Sequence, residues 1–122
     1  SPEQMHQVLH FASLFIGEGA TMASECAMLG TPSIYVNTLE AGTCNEQEKK
    51  YKLLYNYKNI EGVLSKAFKI LEINDKSLFL ERRKNMLNDK IDVTKFMVWF
   101  LEEFPRSFEL VKINPNYKDC NK

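Results

Sequence analysis

The chain has 122 residues, and 16 Lys or Arg balance 16 Asp or Glu, so its formal net charge is zero at pH 7. That length fits one domain. A neutral balance without a basic stripe argues against nucleic acid as a partner. No apolar run approaches the roughly 20 residues that cross a bilayer, and no signal-peptide pattern is present, so we expect a cytoplasmic protein without a transmembrane segment.

The first part of the chain predicts alternating helix and strand: a helix to about residue 12, a strand at 14–16, a helix at Ala20–Leu29 and a strand at Ser33–Val36. Ser1 and Pro2 begin a capping-box pattern, which is typical of a helix start. Small residues fill the second helix, and Gly30 with Pro32 ends it. The order is that of a β–α–β unit.

The second part predicts a loop at 38–43, a helix at 45–51, a weaker strand at 53–57, a helix after Asn59, and further helices at 77–88, 92–101 and 107–113. Asn45 and Asn59 are expected to cap the helices that follow them. The helix after Asn59 has a predicted apolar face of Ile60, Val63, Leu64, Ala67 and Leu71.

Apolar residues occupy nearly every position of the segment 92–101, so we expect this helix to be enclosed on more than one side. The sum is an α/β fold: a Rossmann-like, three-layer domain over residues 1–115 with a small parallel sheet and a helical C-terminal third, then a polar, flexible tail at 116–122. Three strands leave sheet edges uncovered, and the chain begins without Met, so we expect a fragment.

Three cysteines, Cys26, Cys44 and Cys120, show neither zinc-site spacing nor the density of a disulfide scaffold. We expect buried or incidental thiols. His6 and His10 have an i, i+4 spacing but lack an evident third ligand, which favours ordinary helix histidines over a metal site. No metal and no cofactor is predicted.

The turn Gly17-Glu18-Gly19 stands between a predicted strand and a predicted helix. Glycines permit a close approach of the backbone to a ligand, and free N–H groups at a helix start attract phosphate. Any strand–helix turn also favours small residues, so the turn alone is weak evidence. Glu18 fits a phosphate poorly, because like charges repel. Glu25 lies one helical turn after Thr21, on the same face.

Residues 19–25 (GATMASE), followed by Gly30-Thr31-Pro32, resemble the nucleotide-binding helix of two-domain GT-B glycosyltransferases. UDP-N-acetylglucosamine 2-epimerase shares that architecture. The chain is still more similar to the C-terminal part of an uncharacterised prokaryotic family, "domain of unknown function 354". This similarity extends to about Pro115 and includes residues 1–3 (SPE), 17–25 (GEGATMASE), 48–51 (EKKY) and 91–100 (IDVTKFMVWF).

The resemblance implies the C-terminal half of a GT-B fold that binds a nucleotide sugar, expected to be UDP-linked. By this resemblance the residues that hold the diphosphate are Gly17, Gly19, Ala20, Thr21 and Met22, and Glu25 binds the ribose. The candidate sugar contacts are Glu18, Asn45, Glu46 and Gln47. The acceptor site and the catalytic base would belong to an N-terminal domain absent from this chain, so no catalytic residue is assigned and the chain alone is expected to be inactive.

Two other functions remain open at this point. The aromatic residues Phe96, Trp99, Phe100 and Phe104 are typical of a buried helix, but they also suit a non-catalytic module that binds a partner or forms a homodimer. A dinucleotide-binding domain is disfavoured, because no complete G-x-G-x-x-G sequence is present.

Overall fold

A computed structural model of the chain describes residues 2–73 and 75–115. A 3₁₀ helix at Pro2–Gln4 precedes α1 (Met5–Phe11), β1 (Phe15–Gly17), α2 (Ala20–Leu29), β2 (Ser33–Val36), α3 (Gly42–Lys49), β3 (Leu54–Tyr57), α4 (Val63–Ile73), α5 (Lys76–Asp89), α6 (Val93–Glu102) and α7 (Arg106–Ile113). The chain divides into two compact units, with the boundary between Met86 and Leu87.

The three strands form one parallel sheet in the order β1-β2-β3. The register aligns Ile16 with Ile34 and Ile34 with Tyr55, so these side chains share one face of the sheet. The predicted α/β class, with a small parallel sheet and a helical C-terminal part, is confirmed.

Helices cover both faces of the sheet. On one face, Asn56 of β3 donates from its backbone N to Glu48 Oε1 of α3 at 3.0 Å, and α2 packs beside α3. On the other face, Lys66 of α4 places its Nζ 3.6 Å from the centre of the Tyr55 ring. This double cover explains why the central strand β2 is buried, as parallel strands usually are.

Helix α5 binds the segments at the amino edge of the sheet, where the strands begin. Arg83 Nε donates to the carbonyl of Met28 at 2.6 Å, and Arg82 Nη1 donates to the carbonyl of Lys52 at 2.9 Å. Met28 and Lys52 precede β2 and β3 respectively, so the two arginines hold the segments that enter both strands.

Some predicted boundaries need correction. Helix α3 begins at Gly42, so the predicted loop at 38–43 is too long. The predicted N-cap Asn45 lies inside the helix, where its backbone N donates to the carbonyl of Ala41 at 2.9 Å. Strand β1 lies one residue later than expected. Ser1 of the predicted capping box, Cys120 and the predicted tail at 116–122 lie outside the described residues.

The predicted apolar face of α4 is right for Val63 and Ala67 and wrong for its other members, and the predicted enclosure of α6 is wrong. Helix α4 turns Val63, Ala67 and Ile70 inward, whereas the predicted Leu64 and Leu71 are exposed, as is Ile60 before the helix. Helix α6 has no buried residue. Helix α7 contacts α6, but one neighbouring helix covers only one side of a helix.

Gly30, which follows α2, gives a direct test of how closely α5 packs against the end of α2. Its φ of +84° is left-handed, and an added Cβ would lie 3.0 Å from Leu80 Cδ2 and 3.2 Å from Arg83 Cδ. We expect Gly30→Ala to lower the free energy of unfolding by about 1–3 kcal/mol, measured by urea denaturation. Gly42→Ala is the control, because a Cβ there meets nothing within 4 Å and Ala suits a helix better. Equal stability of the two variants would contradict this account.

Candidate functional site

The carboxyl ends of β1, β2 and β3 meet at one edge of the sheet because the strands are parallel. The loops that leave this edge begin at Glu18, Asn37 and Lys58. In open α/β sheets, ligands bind in the crevice outside the carboxyl ends of the strands. This edge is therefore the candidate functional site.

Helix α2 begins at this edge with free backbone donors. Its N-cap, Gly19, has an extended backbone (φ −87°, ψ 107°) and supplies no side-chain hydrogen bond. The first intrahelical bond runs from Ala23 N to the carbonyl of Gly19 at 3.0 Å. The N–H groups of Ala20, Thr21 and Met22 therefore have no intrahelical acceptor, which is the arrangement that binds anions at helix starts.

The turn before α2 is held in place from both sides. A Cβ on Gly17 would lie 2.7 Å from Cζ of the Phe15 ring, so glycine permits that ring to cover the turn. The carbonyl of Glu18 accepts a hydrogen bond from Asn37 Nδ2 at 3.1 Å, and Asn37 Oδ1 accepts from the backbone N of Leu39 at 3.0 Å. Asn37 thus ties the loop after β1 to the loop after β2.

Glu25 lies on the second turn of α2, partly exposed. Its Oε2 is 3.5 Å from Nε2 of His6, which belongs to α1. The structure therefore places the predicted ribose ligand one turn behind the free N–H groups and gives it a neighbour that the sequence did not indicate. A role in ribose binding stays a prediction.

The three candidate sugar contacts on α3 are placed differently from one another. Glu46 is exposed, Asn45 is half-buried and Gln47 is only 5% exposed. Gln47 Nε2 donates to the carbonyl of Ser24 on α2 at 3.3 Å, and its Oε1 is buried without a partner among the described residues. Gln47 therefore packs α3 against α2, and a burial of this extent disfavours a contact with a sugar.

A groove of about 530 Å³ opens at the carboxyl edge, and we call it the edge groove. Its apolar lining consists of Ile16, Val36, Ile60 and Val63. Its polar lining consists of Glu18, Asn37, Thr38, Lys58 and Asn59, beside Gly17. The volume is within the range of small-molecule sites.

The edge groove brings together only two of the predicted site residues, Gly17 and Glu18. Ala20–Met22 and Glu25 are outside its lining. Four polar residues of the groove that follow predicted strands were not predicted as site residues: Asn37, Thr38, Lys58 and Asn59. The signal that could have found them is their position after the parallel strands, and not a local motif.

The thiols of Cys26 and Cys44 give no sign of reactivity. Burial raises the pKa of the Cys26 thiol to about 11, and a hydrogen bond with Ser33 offsets only part of this shift. Cys44 is also buried and free, and burial raises its pKa. A nucleophilic cysteine needs the opposite shift.

Among residues 2–73 and 75–115, no group of three or more His, Cys, Asp or Glu side chains is placed to hold a metal ion. In the same part of the chain, the helices are all too short or too polar to cross a membrane. Comparison with protein-family models, with curated proteins and with solved structures finds no match for the chain. The family resemblance of residues 17–25 therefore stays a prediction.

Proposed function

We propose that this chain binds a nucleotide sugar, UDP-linked, at the carboxyl edge of its sheet, as the donor-binding half of a GT-B-like glycosyltransferase or sugar epimerase. The observation that carries the proposal is the start of α2, where three free N–H groups follow a Gly-rich turn at this edge. Parallel α/β sheets bind phosphates at such a point.

The diphosphate would lie against the N–H groups of Ala20, Thr21 and Met22. The helix dipole adds about half a positive charge there. Gly19 has no side chain to block the approach, and its carbonyl already accepts the bond from Ala23. Hydrogen bonds from backbone N–H groups to a charged oxygen contribute about 1.5–3 kcal/mol each.

Glu25 would accept hydrogen bonds from the ribose hydroxyls. Its position, four residues after Thr21, puts the two Cβ atoms about 5–6 Å apart on one helix face. His6 Nε2 lies 3.5 Å from the carboxylate, so the two side chains are neighbours. Phosphate and ribose would thus meet successive turns of one helix.

The acceptor and the catalytic base would come from an N-terminal domain outside this chain. The chain alone would therefore bind the nucleotide weakly and turn nothing over. In this proposal its role is to hold the donor and to fix the direction in which the anomeric carbon points.

Replacing Ala20 by Pro tests the phosphate site with little disturbance of the fold. Ala20 is the first residue of α2, where Pro is tolerated, and the extended backbone of Gly19 suits a residue before Pro. The change removes one free N–H group. We expect UDP affinity to fall about 10- to 100-fold in calorimetry, and Glu25→Gln to cause a smaller loss.

The matched control is Gly42→Pro. Gly42 is the first residue of α3, and Ala41 before it also has an extended backbone. This variant makes the same change at a different helix start, so UDP affinity should stay the same. Failure of the unmodified chain to bind UDP, or binding that Ala20→Pro and Glu25→Gln leave unchanged, would refute the proposal.

A second candidate function, self-association, is favoured by the exposed apolar side of α6. Val93, Met97 and Leu101 follow one another at i, i+4 and i+8, and Leu101 is 72% exposed. Soluble proteins rarely leave such a stripe bare. We propose as the alternative that α6 mediates a homodimer and that the chain has no catalytic role.

Sedimentation equilibrium tests this alternative. A dimer at about 10–100 µM that Leu101→Lys dissociates is the expected result, because a charge on the stripe would be buried without a partner. Glu102→Gln raises the charge by the same amount on the side of α6 away from the stripe and should leave the dimer intact. A monomer at every concentration would exclude the alternative.

A further inference from the structure

Of the residues predicted to hold the diphosphate and the ribose, only Gly17 lines the edge groove. We propose that the groove holds the glycosyl group of the nucleotide sugar, a cyclic polyol. This inference rests on the proposed function, because the diphosphate at α2 supplies the attachment. It assigns the sugar to the face of the sheet that α4 covers and to residues of three strand–helix loops.

The apolar lining of the groove is aliphatic. Ile16 and Val36 lie on the face of the sheet that α4 covers, and Val63 is the first residue of that helix. None of the described residues that line the groove is aromatic. A nucleobase binds best by stacking on an aromatic ring, which this groove does not offer. Aliphatic side chains can bury the C–H groups of a sugar ring, without the stacking that an aromatic ring would add.

The polar lining combines an acceptor with donors. Glu18 brings a carboxylate from the loop after β1, Lys58 brings an ammonium group from the loop after β3, and Thr38 brings a hydroxyl. None of these three side chains has a hydrogen bond or ion pair with another of the described residues. Sugar hydroxyls both donate and accept, so a mixed set of unused groups matches a neutral polyol better than an anion.

The groove also gives a role to Glu18, whose negative charge fits a phosphate site poorly. Glu18 lies two residues before Ala20, so the groove and the helix start are at most about 7 Å apart along the chain. A carboxylate here opposes a second phosphate in the groove but accepts hydrogen bonds from hydroxyls. A sugar bonded to the diphosphate would therefore reach Glu18 directly.

Calorimetry on the full 122-residue chain with UDP and with UDP-N-acetylglucosamine or UDP-glucose separates the two parts of the ligand. We expect the chain to bind at least one UDP-sugar about tenfold more tightly than UDP, since one or two added hydrogen bonds contribute that much. Glu18→Gln and Lys58→Met should each bring the ratio of the two affinities toward one. Lys84→Met, an exposed change on α5, is the control and should preserve the ratio.

Methyl NMR shifts give an independent readout that does not need the variants. The Ile16, Val36 and Val63 methyl groups should shift with a UDP-sugar and not with UDP. If UDP binds but these methyl groups stay still and the affinity ratio is unaffected by either variant, the inference is overturned and the proposed function stands. If a methyl glycoside shifts them while UDP does not bind, the groove is a polyol site and the proposed function fails.

Discussion

β2 pairs in parallel with a strand on each side, and its first three residues are buried. A parallel strand can return to the same sheet only through a crossover, and right-handed crossovers place α2 and α3 on one face. The same constraint puts every strand start at one edge and every strand end at the other. The convergence of the Gly-rich turn, Asn37 and Lys58 follows from this topology and not from any local motif.

The two edges of the sheet consequently have different roles. At the amino edge, side chains of α5 and the bond from Thr31 Oγ1 to the carbonyl of Leu9 at 2.8 Å satisfy backbone acceptors. At the carboxyl edge, the starts of α2 and α3 have no side-chain cap. Backbone donors left free at a helix start can bond to water or to a ligand. The carboxyl edge, which has the free backbone donors, is therefore the one that can gain hydrogen bonds from a ligand.

The sequence predicted α2 and β2 with their observed bounds, because Gly19, Gly30 and Pro32 mark their ends by backbone chemistry that does not depend on distant contacts. It did not predict the start of α3, since Gly42 reads as part of a loop. The inward position of Ile70 in α4 and the exposure of α6 could not be predicted either. Both depend on which helices and strands pack nearby, whereas the spacing of apolar residues shows only how wide an apolar face is.

The candidate site also contains some residues that could be selected from the sequence and others that only the fold brings together. Gly17 to Glu25 could be selected from the sequence because they are contiguous and follow a strand. Lys58 and Thr38 are distant in sequence from that turn, and only the parallel register brings their loops to the same groove. Gln47 shows the reverse case, a polar residue near the predicted site that the packing of α3 on α2 buries.

In the proposed function, the free N–H groups at the start of α2 bind the diphosphate. An ¹H–¹⁵N spectrum recorded with UDP and, separately, with uridine tests this contact. We predict that UDP moves the amide protons of Ala20, Thr21 and Met22 downfield, as a charged acceptor does, and that uridine does not. Amide shifts confined to other parts of the chain, or equal shifts with the two ligands, would contradict the claim.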